Sequence, residues 1–233
     1  MARALSVSEF DAKKFNELSL CMDLESFIGR PEQNFSMIWY GKSGNGKTEG
    51  AIIFIKKILQ RYPKFRALYN SYEQGFSKSL QDAFRRQNMN EVNGQVLITH
   101  KEPLAQMIER LKRKKSPQVV VIDSIQYVKL TYEQWQELRN TFPRKIFILI
   151  SHAIGDEPDG YHARKIEFDV DIKVLVKGYQ AHPKSRFGGN QPFTIWEEGH
   201  QRWLSRQRPK AAKPIDPAVA QLFPVSQDKK EAI

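Results

Sequence analysis

Short runs of apolar residues alternate along the chain with segments of helical periodicity, and this pattern predicts an α/β fold. Consecutive β-branched and aromatic residues predict buried strands at 37–40, 119–122 and 146–150. Runs of this kind are typical of parallel strands that are covered on both faces. Apolar residues at helical spacing predict helices at 48–59, 103–115 and 132–142. We therefore expect a mainly parallel central sheet with helices on both of its faces.

The last third of the chain predicts antiparallel structure instead. Residues 171–177 alternate between polar and apolar, Gly178 favours a turn, and 193–204 resemble the two strands of a terminal hairpin. Before them, residues 153–161 are polar and contain Gly and Pro, which indicates a mobile loop. The sheet is therefore expected to end in an antiparallel hairpin.

Two terminal segments differ from this central pattern. Residues 1–30 predict a short helical extension, with Ser6 and Ser8 as candidate N-caps, that packs on the core or on a neighbouring subunit. Residues 206–233 are basic and rich in proline, which predicts a flexible tail with room for a protein-docking motif. Residues 31–205 between them have the length of one α/β domain.

Composition narrows the class of protein. Of 233 residues, 40% are hydrophobic and 27% are charged, as in a soluble globular protein. The chain has no run of about 18 apolar residues, no signal-peptide pattern, and a single cysteine that cannot form an internal disulfide. We therefore expect a cytoplasmic protein without membrane contact. The formal net charge of +11 favours polyanionic partners, nucleic acid above all, although charged runs also serve as solvated surface.

A glycine-rich segment directly follows the first predicted strand. Gly41, Gly46, Lys47 and Thr48 match the P-loop pattern G-x-x-x-x-G-K-[ST] between a strand and a helix. Glycines let successive backbone N–H groups point at phosphate oxygens, and the following helix adds its positive amino end. Lys47 is placed to reach the β- and γ-phosphates, and the Thr48 hydroxyl can ligate Mg²⁺. We expect ATP to be held by eight consecutive residues: Gly41, Lys42, Ser43, Gly44, Asn45, Gly46, Lys47 and Thr48.

Polar residues follow three further strands, at the edge where α/β sheets place ligand chemistry. Asp123 ends a run of valine and isoleucine and is expected to hold Mg²⁺ together with Thr48. Glu73 follows a strand predicted at 66–70 and is a candidate general base for the water that attacks the γ-phosphate. His152, or Ser151 before it, can sense that phosphate, although a loop residue without function is an equal alternative.

The ordered set of motifs resembles the RecA-like ATPase superfamily, with its RadA, KaiC-like and DnaB-type branches. Residues 119–126 (VVVIDSIQ) are similar to the Walker B strand of RadA and KaiC-like proteins. Residues 69–73 (YNSYE) are similar to the segment that carries their catalytic glutamate, and 184–188 (KSRFG) to the Lys-Asn-Arg-Phe-Gly motif of RadA. The resemblance extends over 27–204 and implies a RecA-like P-loop fold.

The resemblance also implies how such chains work together. Lys184 and Arg186 would act as fingers that stabilise charge on the γ-phosphate of a neighbouring subunit, so a homo-oligomeric ring or filament is expected. Loops at 126–131 and 153–163 would contact single-stranded DNA. The second loop carries three acidic residues, which match phosphate poorly and favour a protein contact instead.

The residues and the resemblance together predict a Mg²⁺-dependent ATP hydrolase that acts in DNA recombination, repair or replication. The alternative is a nucleotide-dependent switch of the KaiC-like kind that regulates a protein partner without DNA. A kinase is disfavoured because the sequence has no evident acceptor site or cluster of lid arginines.

Overall fold

A computed structural model describes residues 3–207 of the chain. Its helices are α1 (Val7–Asp11), α2 (Met22–Ile28), α3 (Lys47–Arg61), α4 (Lys78–Arg86), α5 (Leu104–Lys112), α6 (Tyr132–Thr141), α7 (Tyr161–Asp169) and α8 (Glu197–Gln207). Its strands are β1 (Ser36–Gly41), β2 (Ala67–Ser71), β3 (Val96–His100), β4 (Val119–Asp123), β5 (Ile146–Ile154), β6 (Glu157–Pro158), β7 (Ile172–Lys177), β8 (Gln180–Ser185) and β9 (Phe193–Thr194). Apart from its first two residues, the predicted tail lies outside the described part.

The strands form one sheet in the order β3-β2-β4-β5-β1-β7-β8-β9, with the short β6 paired to β5. The first six strands in this order, β3, β2, β4, β5, β1 and β7, run parallel, and β8 and β9 continue the sheet antiparallel. The predicted architecture, a mainly parallel sheet that ends in an antiparallel hairpin, is confirmed. We call the side where the parallel strands end the carboxyl edge, and the side where they begin the amino edge.

Both faces of the sheet are covered, as the uninterrupted apolar runs predict. Met37 and Trp39 of β1 pack beneath α2, α3 and α4, whereas Ile38 and Tyr40 pack beneath α5, α6 and α7. This alternation follows from the two-residue period of a strand, and it buries β1 on each side. The helix α2 of the N-terminal extension contributes Phe27 and Ile28 to the first of these layers.

Three details of the predicted structure are wrong. Residues 197–207 form helix α8 and not a strand, so the hairpin consists of β7 and β8, with β9 added. Segment 153–161 is not one irregular loop, because β5 continues to Ile154 and pairs with β6 before α7 begins. The first helix has the predicted Ser6 cap, but it spans five residues where the sequence predicts a helix to about Leu18, and it buries none of them.

Candidate nucleotide-binding site

The P-loop has the strand–loop–helix geometry that its sequence predicts. Strand β1 ends at Gly41 and helix α3 begins at Lys47. Gly46 has a φ of 94°, a left-handed conformation that side chains rarely adopt. A Cβ on Gly41 would lie 2.2 Å from the carbonyl oxygen of Val176. Both glycines are therefore required by the local backbone, independently of any ligand.

Lys47 is buried at the base of this loop. Its Nζ donates to the carbonyl oxygens of Gly41 at 2.8 Å and of Lys42 at 3.1 Å. Burial lowers the pKa of Lys47, and the nearby carboxylates of Glu73 and Asp123 oppose that effect. The ammonium thus lies beside the loop that would hold phosphate, and without a ligand its hydrogen bonds go to backbone carbonyl oxygens.

Thr48 and Asp123 meet at the carboxyl edge, although they lie on different elements. Thr48 Oγ1 donates to Asp123 Oδ2 at 3.4 Å, and Tyr69 Oη of β2 donates to the same oxygen at 2.5 Å. Asp123 is 1% exposed, and this burial raises its pKa to about 6 despite the bond from Tyr69. No motif in the sequence marks Tyr69 as part of the site.

The donor set at this point fits Mg²⁺. Asp123 Oδ1 is buried and has no hydrogen-bond partner within residues 3–207. An orphaned carboxylate oxygen beside a threonine hydroxyl is suited to a hard cation, which prefers oxygen ligands and retains water molecules in its shell. Thr48 and Asp123 are therefore placed where both could serve one ion, as the sequence predicts.

Glu73 lies beside His152 across the end of the sheet. Oε2 of Glu73 and Nε2 of His152 are 3.0 Å apart. The backbone N–H of Glu73 donates to the carbonyl oxygen of Asp123 at 3.0 Å, which ties the segment after β2 to the end of β4. The structure thus brings the candidate base and the candidate sensor into direct contact.

Gln126 connects His152 to the segment that follows it. Its Nε2 donates to Ser151 Oγ at 2.7 Å and to the carbonyl oxygen of Asp159 at 3.0 Å. Its Oε1 accepts from the backbone N–H of His152 at 3.2 Å. One side chain after β4 therefore holds the end of β5 and the start of α7, a role that spacing alone does not reveal.

A cavity of about 540 Å³ adjoins these residues. Five residues of the predicted phosphate-binding segment line it, namely Ser43, Gly44, Gly46, Lys47 and Thr48, together with Glu73. The side chain of Asn45 is used differently, because its Oδ1 accepts from the backbone N–H of Gly178 at 2.8 Å. Gly41, Lys42 and Asn45 line a separate cavity of about 300 Å³ on the other side of the loop.

The other wall of the larger cavity comes from the C-terminal part of the domain. It contains Tyr179 after β7, and Ile195 and Trp196 between β9 and α8. From the sequence these residues are expected in a turn and a strand, without a role in the site. No motif marks them, because their position depends on the antiparallel end of the sheet.

Lys184 and Arg186 lie at the amino edge, away from this cavity. Strand β8 runs antiparallel to β7, so its end at Ser185 pairs with Ile172 at the start of β7. Arg186 Nη1 is 3.5 Å from Asp171 Oδ1, and Lys184 is exposed. The two cations therefore do not reach the P-loop of their own chain, and a role at a neighbour's site remains a prediction.

Exposed aromatic and basic side chains lie along the carboxyl edge, beyond Gln126. Tyr127 is 55% exposed and Tyr161 is 62% exposed. Lys165 Nζ lies 4.6 Å from the centroid of the Tyr161 ring. Two of the acidic residues noted in this region have basic neighbours in the same chain: Asp156 pairs with Lys177 at 2.9 Å, and Glu157 with Arg164 at 3.7 Å.

No family model matches the chain, and no curated protein matches it. A solved structure similar to it is that of a KaiC-like protein from the hyperthermophilic archaeon Pyrococcus horikoshii OT3. The two chains are 20% identical, the TM-score is 0.44, and the match covers 67% of this chain and 79% of the other.

The fold follows from the chain's own geometry. The P-loop lies after β1, the acid-bearing β4 is separated from β1 by β5, and the sheet ends in an antiparallel hairpin. The chain has a RecA-like P-loop fold, as the resemblance implies. Among residues 3–207, no helix is both long and apolar enough to span a membrane.

Proposed function

We propose that the protein is a Mg²⁺-dependent ATP hydrolase that assembles with its own copies and acts on single-stranded DNA. The observation that carries the hydrolase part is the convergence of Lys47, Thr48 and Glu73 on one cavity, with Asp123 hydrogen-bonded to Thr48. Lys47 and Thr48 begin helix α3, whereas Asp123 ends β4 and Glu73 follows β2, so the sheet brings together residues that are distant in the sequence. Such convergence is what phosphoryl-transfer chemistry requires.

In this proposal each residue has a defined task. Backbone N–H groups of 43–48 hold the phosphates, and the ammonium of Lys47 exchanges its carbonyl partners for phosphate oxygens. Thr48 and Asp123 hold Mg²⁺, which when bound neutralises charge on the β- and γ-phosphates. Tyr69 keeps the Asp123 carboxylate oriented toward Thr48 through its buried hydrogen bond.

Glu73 is the candidate base. Its carboxylate lines the cavity that holds the P-loop and is close enough to His152 for a hydrogen bond of 3.0 Å. A carboxylate there can orient and deprotonate the attacking water. His152 then transmits the loss of the phosphate to Gln126. The side chain of Gln126 is hydrogen-bonded to the backbone N–H of His152 and to the carbonyl oxygen of Asp159.

The proposed DNA interface is the exposed part of the carboxyl edge. Single-stranded nucleic acid is bound by aromatic rings that stack on bases and by cations that contact phosphates. Tyr127, Tyr161, Lys129 and Lys165 supply both kinds of group. Because Asp156 and Glu157 have basic partners within the chain, their charges oppose phosphate less than the sequence suggests.

The test of the hydrolase is ATP turnover by the full chain with Mg²⁺, measured with and without single-stranded DNA. We expect Lys47→Ala to abolish turnover and DNA to raise it. Lys57→Ala is the matched control, because Lys57 lies on the same helix but pairs with Asp23 away from the loop. Turnover that survives in Lys47→Ala would disprove the proposed site.

The test of the DNA interface is binding of a labelled oligonucleotide across several salt concentrations. We expect Tyr161→Ala and Lys165→Ala to weaken binding, and Lys64→Ala, an exposed lysine just before β2 at the amino edge, to leave it unchanged. Binding should weaken as salt rises, because phosphate contacts release counterions. If DNA leaves ATP turnover unchanged and the oligonucleotide does not bind, the results would instead favour the alternative, a nucleotide-dependent switch that acts on a protein partner.

A further inference from the structure

One wall of the cavity is apolar and aromatic, and consists of Tyr179, Ile195 and Trp196. Tyr179 and Trp196 meet edge to face, with ring centroids 5.0 Å apart and an interplanar angle of 81°. A Cβ on Gly46 of the P-loop would lie 3.5 Å from both Ile195 and Tyr179, so this wall touches the phosphate-binding loop itself. A ligand held by its phosphates at the P-loop therefore has an aromatic surface next to it.

The Trp196 ring is held in place by helix α8. A Cβ on Gly199 would lie 2.1 Å from the ring, so the ring packs directly on the backbone of α8. The guanidinium of Arg202 lies 5.5 Å from the ring centroid. With 41% of the residue exposed and its back supported by the helix, Trp196 presents an ordered surface to the cavity.

The polar groups around this surface are mostly engaged with each other. The backbone N–H of Ile195 donates to the carbonyl of Tyr179 at 2.8 Å. Elsewhere in the lining, Glu49 accepts from Arg86 at 2.7 Å and from Gln87 at 3.0 Å. The cavity therefore offers stacking more readily than specific hydrogen bonds at this end.

We infer that Tyr179, Ile195 and Trp196 form a nucleobase-stacking subsite that accepts adenine and guanine nucleotides with little discrimination. This inference rests on the proposed function, since it takes the P-loop to hold the phosphates of the same ligand. Every base has a π-face, so stacking tolerates exchange of one base for another. Strong discrimination arises where a site is built to hydrogen-bond one substrate, and the engaged polar groups here argue against that design.

The experiment is calorimetric titration of the full chain with Mg²⁺ and three probes: AMP-PNP, GMP-PNP and inorganic tripolyphosphate. For the wild type we expect the two nucleotides to differ by less than about tenfold in affinity. Trp196→Ala should weaken both by about tenfold, the loss expected for one stacked base, and leave tripolyphosphate within about twofold. Trp196→Phe should retain most of the nucleotide affinity because it keeps an aromatic face.

Two control variants separate the possible failures. Phe168→Ala removes an aromatic side chain that is 74% exposed on α7, outside the cavity, and should change none of the three affinities. Lys47→Ala should weaken all three probes, because it removes a phosphate contact. Retained tripolyphosphate binding by Trp196→Ala also shows that this variant is folded.

The outcomes are distinct. If Trp196→Ala binds both nucleotides as the wild type does, or weakens tripolyphosphate equally, the stacking subsite is wrong while the proposed function stands. A difference of about a hundredfold or more between the two nucleotides overturns the lack of discrimination. If Lys47→Ala leaves every affinity unchanged, the P-loop does not hold the phosphates and the proposed function fails with the inference.

Discussion

Replacing Asp123 with asparagine should stabilise the nucleotide-free protein while it removes a ligand for Mg²⁺. In the absence of metal, the Asp123 carboxylate is buried, and only Oδ2 receives hydrogen bonds within the described part of the chain. A buried charge without a compensating cation is costly. Asparagine has almost the same shape, removes that charge, and still offers an oxygen to the hydroxyl of Tyr69.

The magnitude follows from the pKa of Asp123. Burial raises this pKa from 3.8 to about 6 in the folded protein. The difference corresponds to about 3 kcal/mol of folding free energy that the ionised form loses relative to the neutral acid. We take about 3 kcal/mol as the upper limit for Asp123→Asn, because the new amide N–H₂ would replace the orphaned Oδ1 and also lack a partner.

The sign of the pH dependence makes the prediction specific. With its pKa raised on folding, Asp123 binds more protons in the folded than in the unfolded state between pH 3.8 and about 6. The free energy of unfolding of the wild type therefore falls as the pH rises through that window, and the full loss is reached above pH 6. Asp123→Asn does not titrate, so its advantage should be greatest at neutral or alkaline pH and should vanish near pH 3.8.

The assay is urea unfolding with EDTA at several pH values between 4 and 8 (a range set by that window). Asp82→Asn is the control, since the pKa of Asp82 is lowered, mainly by its hydrogen bond with Lys78. The stability that Asp82 contributes is lost as the pH falls, so its variant should show the opposite pH trend. The reasoning is refuted if Asp123→Asn is less stable than the wild type at pH 8, or if the difference in their free energies of unfolding does not change with pH.

Three further substitutions test other parts of the molecule. Glu73→Gln should lower kcat by about a hundredfold or more with ATP affinity nearly unchanged, because it removes a base and not a phosphate contact. Gly50→Ala should destabilise the fold by about 1–3 kcal/mol in urea unfolding, since a Cβ there would lie 2.6 Å from Trp39 and 2.8 Å from Ile195. Arg186→Ala should lower turnover in the assembled protein, and mixing it with Lys47→Ala subunits should restore activity where each chain supplies what its neighbour lacks.

Each of these has an outcome that contradicts it. Unchanged kcat in Glu73→Gln would assign the base elsewhere, and Glu109→Gln, an exposed glutamate on α5, is its control. If Gly50→Ala is more stable than the wild type, helix propensity outweighs the crowding at α3. Gly94→Ala is the comparison for Gly50→Ala, because Gly94 has open space around it and only its positive φ opposes a side chain. Equal turnover by Arg186→Ala and wild type at every protein concentration would remove the finger from the proposed mechanism.

The parts of the fold that the sequence predicts are those with local causes. The runs around Val121 and Ile148 predict buried parallel strands because their apolar side chains need cover on both faces. The P-loop is predictable because Gly46 needs a left-handed φ and Lys47 and Thr48 follow at fixed spacing. Their meeting with Asp123 was expected from strand ends alone, and the structure places Thr48 and Asp123 3.4 Å apart.

The parts that sequence reasoning missed depend on contacts between distant segments. The hairpin predicted for 193–204 misses helix α8, in which the Trp196 ring packs on the backbone at Gly199. The sequence pattern assigns no role to Tyr69, because only the register of β2 with β4 brings its hydroxyl to Asp123. Neither relation leaves a period or a motif in the sequence.

The direction of β8 decides what one chain can do by itself. Lys184 and Arg186 lie at the amino edge, and the six residues of β1 place the P-loop about 17 Å away at the carboxyl edge. Because β8 pairs with β7 along its length, moving Arg186 to its own cavity would require breaking the edge of the sheet. If Arg186 takes part in hydrolysis, it must act on a second copy whose carboxyl edge meets this amino edge. A head-to-tail contact of that kind uses two different surfaces, so it closes into a ring or continues as a filament according to the rotation between subunits.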